Sequence, residues 1–396
     1  MKNILLVTNL YPMHNAHILN NTAVCHYFAK EWMKLGYNVR VIFNYNQYPK
    51  LYYPILKLFK KKLANKYGIA ILAEYINEMN TYYYEEVKVT CIPIYKLKPG
   101  GEFAEKTINR QVALIKEILD DEKFLPDVIL GHFMHPTLEV IVKLKKIYNT
   151  KVALNLHGKV QSFKRGEKEL LSSVDYVGFR SQAIKASFEK FYGIFDKTYL
   201  CPSGVPNNFY TLNRTRNYEE PLNIIYIGNL IKRKHPTAIV SALSLLNKTH
   251  FRVKYVGDGD ERSNIIKIAG KNCFLSNVEF TGQIPRQEII SHLDSSDVFI
   301  MISEAETFGL VYLEAMARGC IVVASKNEGM DGIIKHGVNG FLCEAGNANM
   351  LADILTYIDG LSVEEMIMLS NNSRKTAEEY TDKKVAMHYL SEINPL

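Results

Sequence analysis

Several things are scarce in this chain of 396 residues. It has one tryptophan and six cysteines. The cysteines (Cys25, Cys91, Cys201, Cys273, Cys320 and Cys343) lie far apart and form no Cys-x-x-Cys pair. That argues against a zinc site and a secreted disulfide framework, and for a reducing, cytoplasmic compartment. No apolar run approaches the ~18 residues of a membrane span, so a soluble protein is expected. The opening Ile4–Val7 run stops at Thr8-Asn9, with Tyr11-Pro12 behind it. It is too short for a signal-peptide core, lacks a small-residue cleavage site, and reads as a buried first strand. No short-period repeat is visible, which excludes a solenoid. Acid is missing from one stretch: between Trp32 and Ala73 there is no Asp or Glu, yet Lys34, Arg40, Lys50, Lys57, Lys60, Lys61, Lys62 and Lys66 all fall there. The chain as a whole carries 48 Lys+Arg against 41 Asp+Glu, a net +7, so the remainder is nearly neutral. A uniformly basic nucleic-acid binder is therefore not expected, and one local patch needs explaining.

What is present is ordinary globular composition, 47% hydrophobic and 22% charged, which rules out disorder and collagen. One hydrophobic core rarely grows past ~250–300 residues, so more than one domain is expected. Short continuous apolar runs alternate with amphipathic stretches. Ile4–Val7, Val39–Phe43, Asp127–Leu130, Val152–Leu156, Asp175–Phe179 and Thr198–Cys201 read as strands. Thr22–Leu35, Thr137–Tyr148 and Ala183–Tyr192 read as helices. Strands that are apolar throughout point to a parallel sheet covered on both faces. The polar stretch Thr211–Glu220, closed by Pro221, reads as a linker. The rhythm then restarts with strands at Asn223–Ile227, Phe251–Val256, Val278–Phe280, Val298–Ile302 and Ile321–Ala324, and helices at Pro236–Leu246 and Tyr312–Arg318. Two doubly wound α/β halves follow: 1–212, with an amphipathic C-terminal helix of about 376–396, and 213–375. In such sheets ligands bind beyond the carboxyl ends of the strands, so the loops there are where chemistry is sought.

The densest signal is the ungapped run from Ser303 to Ser325, which follows a buried strand and opens a helix. Backbone amides of Phe308, Gly309 and Leu310 at that helix N-terminus suit an anion such as a diphosphate. Glu306 falls in the loop and Glu314 two turns into the helix, a pair whose bland reading is a solvated loop and a surface helix.

The run Glu306-Thr307-Phe308-Gly309-Leu310, then Leu313-Glu314-Ala315-Met316-Ala317, then Val322-Val323-Ala324-Ser325 resembles the E-x7-E signature of family four retaining glycosyltransferases. Other runs are similar to that family in order along the chain. They are Leu156-His157-Gly158, Pro202-Ser203-Gly204-Val205, Tyr226-Ile227-Gly228-Asn229-Leu230 with Lys234, Tyr255-Val256-Gly257-Asp258-Gly259, and Gly337-Val338-Asn339-Gly340-Phe341-Leu342. The resemblance implies the GT-B fold, two Rossmann-like domains facing across a cleft, with the C-terminal helix returning to the first domain. It implies that Glu314 grips the donor ribose, a task suited to a carboxylate because it accepts from two vicinal hydroxyls. Glu306 and His157 are implied beside the transferred sugar as the catalytic pair. Lys234 is implied at the donor diphosphate, where a fixed cation neutralises charge growing on the leaving group. Thr307, Phe308, Gly309 and Leu310 complete the donor loop.

The sequence departs from the family pattern in three places. The usual arginine five residues before Lys234 is Asn229, with Arg233 as the candidate replacement. The loop after the first strand lacks glycine, leaving Asn15 and Ala16 as possible donor or acceptor contacts. Gly329-Met330-Asp331-Gly332 lacks an acidic residue at its last position. The resemblance implies transfer from a nucleotide sugar, UDP-linked by preference, to a hydroxyl of a glycan or lipid-linked acceptor with retention of configuration. No cofactor and no metal are expected, in keeping with the missing Asp-x-Asp clamp. The setting implied is cell-surface polysaccharide or glycolipid synthesis. A non-catalytic nucleotide-sugar-binding partner subunit of the same fold is the alternative, drawing on Asn229 and the altered loop; the Glu306/Glu314 pair opposes it. A sugar-nucleotide epimerase shares the architecture but not this signature, and a dehydrogenase fails for want of Gly-x-Gly-x-x-Gly after the first strand. The acid-free stretch interleaves Tyr45, Tyr48, Tyr52, Tyr53 and Phe59 with Lys57, Lys60, Lys61 and Lys62. Such a patch suits an anionic acceptor or the inner face of the plasma membrane.

Overall fold

The structure, a computed structural model, describes residues 2–13, 23–54, 75–98, 101–160, 166–210, 221–246 and 251–393. Asn15, Ala16, Lys57, Lys60, Lys61 and Lys62 lie outside the described residues. The chain divides into two compact units. The first holds Met1–Arg180, Ser187–Cys201 and Ala386–Leu396; the second holds Ser181–Ala186 and Pro202–Val385.

The first unit is built on an eight-stranded sheet of order β3-β4-β2-β1-β5-β6-β7-β8. Its strands are β1 (Asn3–Thr8), β2 (Asn38–Gln47), β3 (Asn80–Tyr84), β4 (Val87–Tyr95), β5 (Val128–His132), β6 (Lys151–Leu156), β7 (Tyr176–Phe179) and β8 (Thr198–Leu200). Ile4 to Val7 are fully buried, as expected of a strand flanked by β2 and β5 and covered on both faces. The helices are α1 (Val24–Lys34), α2 (Glu105–Asp121), α3 (Thr137–Tyr148), α4 (Glu167–Leu171) and, from Ser187 onward, the second part of α5 (Gln182–Tyr192). The sheet is parallel apart from one edge strand. β3 and β4 form an antiparallel hairpin at its edge, turning at Glu85 and Glu86, both at positive φ. The tyrosines of β3 alternate between exposed and half-buried, so the continuous apolar signature that marks the other strands is missing here.

The second unit carries a six-stranded parallel sheet of order β11-β10-β9-β12-β13-β14. Its strands are β9 (Leu222–Ile227), β10 (Phe251–Val256), β11 (Val278–Gly282), β12 (Val298–Met301), β13 (Ile321–Ser325) and β14 (Phe341–Cys343). Around it lie α6 (Thr237–Leu246), α7 (Arg262–Lys271), α8 (Ile289–Asp294), α9 (Leu310–Ala317), α10 (Ala348–Asp359) and α11 (Val363–Glu378). All four β12 side chains are buried, each aliphatic one contributing roughly 1.5–3 kcal/mol. α11 begins at a capping box in which Ser362 and Glu365 satisfy each other's backbone amides.

The last helix, α12 (Asp382–Ile393), crosses the boundary between the units. Its Ala386 carbonyl accepts from Trp32 Nε1 at 3.0 Å, and the Tyr389 ring meets Phe28 and Trp32 at 5.3 Å each. The expected return of the C-terminal helix to the first unit is thus anchored on the chain's one tryptophan. Among the described residues no helix is long and apolar enough to cross a membrane.

Candidate functional site

In the second unit the ends of β9 and β10 come together so closely that only glycine fits. A Cβ on Gly257, at φ +132, would lie 2.1 Å from the Gly228 carbonyl oxygen. The loop beyond β9 turns through a short helix at Lys232–Lys234 and is pinned to the loop beyond β12. Glu304 N donates to the Arg233 carbonyl at 2.7 Å, and Arg233 Nη1 donates to the Glu304 carbonyl at 3.3 Å.

That pairing sets Lys234 Nζ 3.8 Å from Glu306 and 3.7 Å from Met301 Sδ. The Lys234 and Glu306 side chains are 16% and 14% exposed, so both charges are largely out of water. Burial holds the Lys234 ammonium below the usual lysine range; Glu306 opposes that shift and Arg233 adds to it. Arg233 is itself exposed, yet close enough for its charge to be felt, which is the position a substitute for the missing arginine would need. Asn229 is also exposed; its carbonyl accepts from the Tyr226 hydroxyl at 2.9 Å.

The Glu306 backbone is held by Gly329 N, which donates to its carbonyl at 3.0 Å. Gly309 caps α9 at φ 76, and a Cβ there would lie 2.3 Å from the Tyr312 ring. Tyr312 in turn donates its hydroxyl to the Met301 carbonyl at 2.5 Å, tying the helix to the end of β12. A Cβ on Gly329 would lie 2.4 Å from Phe308 Cα, so the loop Thr307–Gly309 packs directly on backbone. The helix that starts at Leu310 presents first-turn amides with no partner inside the helix, and its dipole favours an anion there.

Glu314 is buried on α9, its side chain 5% exposed. It accepts from the guanidinium of Arg286, with Nε at 3.1 Å. Arg286 escaped the sequence reading. The one signal available was its position just beyond β11, in a loop after a strand. A single arginine behind Pro285 has no pattern to mark it.

His157 belongs to the first unit. It ends β6 with its Nε2 2.8 Å from His132 Nδ1 and its ring stacked on Phe133, centroids 4.2 Å apart. His132 Nε2 lies 3.4 Å from the Tyr389 hydroxyl. Burial, reinforced by Arg180, lowers His132 to about 3. Burial, then His132 and Arg180, lowers His157 well below the usual value. Both rings are therefore neutral at pH 7. With the Tyr389 hydroxyl donating to His132, the same sense carries through His132 Nδ1–H to His157 Nε2. That leaves a hydrogen on His157 Nδ1, an atom without a hydrogen-bond partner. Cys25 Sγ lies close to both rings, and Cys25, His132 and His157 are the group among the described residues with metal-ligand spacing. Its thiol is pushed up to about 12 by burial and sits 3.5 Å from Thr8 Oγ1. A protonated thiol beside two rings bonded to each other is a poor metal ligand.

Residues 211–376 match the family described as glycosyl transferases, group 1. The matched segment lies within the second unit. It contains Asn229, Arg233, Lys234, Glu306, Thr307, Phe308, Gly309, Leu310 and Glu314, whereas His157 lies before it. Among curated relatives, the chain is 30% identical over 169 residues to N-acetyl-alpha-D-glucosaminyl L-malate synthase of Bacillus anthracis, covering 42% of this chain and 43% of that one. It is 25% identical over 206 residues to the amylovoran biosynthesis glycosyltransferase AmsK of Erwinia amylovora, covering 50% of each. The chain thus spans about half the length of the curated relatives it matches. Among solved structures, Anabaena Alr3699/HepE in complex with UDP superposes with a TM-score of 0.69 over 100% of both chains at 18% identity. The two units together have the GT-B fold of two Rossmann-like domains.

Proposed function

We propose that this protein is a retaining glycosyltransferase. It moves a sugar from a nucleotide sugar, UDP-linked by preference, to a hydroxyl of a glycan or lipid-linked acceptor, in the synthesis of cell-surface polysaccharide or glycolipid. The observation that carries this reading is the grouping at the carboxyl ends of β9 and β12. A half-buried lysine lies 3.8 Å from a half-buried carboxylate, beside the start of a helix that holds a buried carboxylate, Glu314. The group 1 segment supports the reaction class. Relatives named for glycan or glycoside synthesis support the substrate class, and HepE, solved with UDP and with UDP-glucose, supports the donor.

In this reading Lys234 and the N-terminus of α9 hold the donor diphosphate. They neutralise charge as the anomeric carbon–oxygen bond breaks, an electrostatic contribution made mainly in the transition state. These fixed positive groups do the work that a metal does elsewhere. The acceptor oxygen attacks from the face the phosphate leaves, and the departing phosphate oxygen takes the acceptor proton. Glu306 faces the positive charge that develops at the anomeric carbon. Glu314 takes the ribose hydroxyls and shares its carboxylate with Arg286 when donor is bound. His157 offers its Nδ1–H to a hydroxyl of the transferred sugar.

Incubation with a panel of nucleotide sugars and acceptor lipids tests the assignment. Turnover is expected with one donor and is lost in Glu306→Ala. Unchanged turnover in that variant refutes the role of Glu306. Absence of turnover with every donor, alongside UDP binding, favours a non-catalytic subunit instead. Peripheral contact with an anionic cytoplasmic membrane surface is part of the proposal, at ~1 kcal/mol per basic residue near lipid. Lys60→Glu, Lys61→Glu and Lys62→Glu together should abolish sedimentation with acidic vesicles; unchanged sedimentation ends that idea.

A further inference from the structure

In the second unit, the loop that carries Glu306 is held residue by residue. The Ser303 carbonyl accepts from the Ser325 hydroxyl, at the end of β13, at 2.7 Å. Glu304 is paired with Arg233 through its own amide and carbonyl, and the Glu306 carbonyl accepts from Gly329 N. Between them Ala305 adopts φ +52, in the left-handed region, where a Cβ crowds the following carbonyl. Ala305 is exposed, so burial of its methyl group does not offset that cost. A side chain holds it instead: Ala305 N donates to Glu328 Oε1, beyond β13, at 3.1 Å.

Glu328 stands on an anchored turn. Lys326 N donates to the Cys343 carbonyl in β14 at 2.8 Å, and Asp331 N donates to the Glu328 carbonyl at 3.0 Å. Asn327 N donates to Asp331 Oδ2 at 2.6 Å. A carboxylate that accepts from a backbone amide makes a charge-assisted bond, stronger than a neutral one. A strained dihedral persists only where its surroundings over-determine it, and here they do. Glu328 and Gly329, neighbours in sequence, grip Ala305 and Glu306 from the same side. The consequence is directional. Relaxation of Ala305 to an ordinary negative φ would turn the chain entering Glu306, whose carboxylate stands 3.8 Å from Lys234 Nζ.

We propose that Glu328 is a positioning residue for the transfer reaction: it holds Ala305 in the left-handed region and so fixes the direction in which Glu306 points. The proposal rests on the transferase reading for the role of Glu306, but not for the brace itself. The test uses the full chain. Hydrogen exchange on the wild type needs no variant: the Ala305 amide, on an exposed residue, should exchange about tenfold or more below the rate of an unstructured peptide. In Glu328→Ala that protection should vanish. Its kcat should fall about tenfold or more with donor KM within about twofold, because an interaction that matters in the transition state alone leaves ground-state binding intact. Glu328→Gln keeps an acceptor oxygen without the charge and should retain about a third of the rate. Adding Ala305→Gly to Glu328→Ala should restore the rate about threefold, since glycine takes positive φ freely. A loss through general destabilisation would not be restored, because glycine only adds entropy to the unfolded chain. Full rate in Glu328→Ala, a rise in KM matching the fall in kcat, no restoration by the glycine, or an unprotected Ala305 amide overturns the proposal. Glu306→Ala, measured alongside, separates the two readings. No turnover in it beside full rate in Glu328→Ala sinks only the brace. Full rate in it sinks the role of Glu306, and with it the effect on transfer, while Ala305 protection that depends on Glu328 leaves the brace standing.

Discussion

Lys234→Met separates a functional lysine from a structural one. At ~4 Å and an effective dielectric near 20, two unit charges attract by about 4 kcal/mol, and Lys234 and Glu306 stand 3.8 Å apart. Removing such charges from water costs several kcal/mol per ion, and the side chains are only 16% and 14% exposed. The lowered value of Lys234 shows that desolvation outweighs the attraction of Glu306. The two contributions oppose each other, so deleting the ammonium while keeping the aliphatic stem should change folding stability by no more than about 1 kcal/mol. In a unit of this size that is ~2–4 °C in melting midpoint. The effect on transfer should be far larger, because a fixed charge facing a leaving group typically contributes 10²–10³ in rate, about 2.7–4 kcal/mol. Scanning fluorimetry gives the first quantity and UDP release from the active donor gives the second. A midpoint drop well beyond ~8 °C would mean that Lys234 supports the fold. Transfer at wild-type rate would mean that no leaving-group charge develops beside it. Either result refutes the reasoning.

Two further predictions concern packing and pH. Gly329→Ala should destabilise the second unit by more than ~2 kcal/mol and weaken UDP binding together, since its Cβ would lie 2.4 Å from Phe308 Cα in the donor loop; unchanged calorimetry in both respects would show that the loop yields freely. Burial works to lower His135, but the bonds and charges of Glu139 and Glu167 win and raise it. A raised folded value means the stabilisation is complete below the unfolded value of ~6.5 and fades as pH rises through the folded one. Melting midpoints from pH 5.5 to 9 should therefore show a decline above neutrality that flattens in His135→Asn, and an identical profile in the variant would show that His135 contributes nothing to it.

The legible elements were those whose side chains say where they sit. β1, β12 and β13 are apolar throughout because helices cover both faces of their sheets, and α3 was placed residue for residue by its spacing. The edge hairpin β3–β4 went unread because an edge strand half in solvent carries tyrosine alternation without the aliphatic run. The proposed donor-side pair was legible because it lies on a contiguous stretch: Glu306 and Glu314 are eight residues apart on one loop and one helix, so local structure alone relates them.

By itself the sequence determined two α/β halves, their order, and the run from Ser303 to Ser325 as the candidate site. These are short-range properties, written in periodicity and in contiguous motifs. Tertiary structure decided what depends on residues far apart in the chain. It brought Arg286 to Glu314, Tyr389 to His132, and Glu167 to His135 across 32 positions. No periodicity records such meetings, because they are made by the stacking of parallel strands, which places the ends of distant segments side by side.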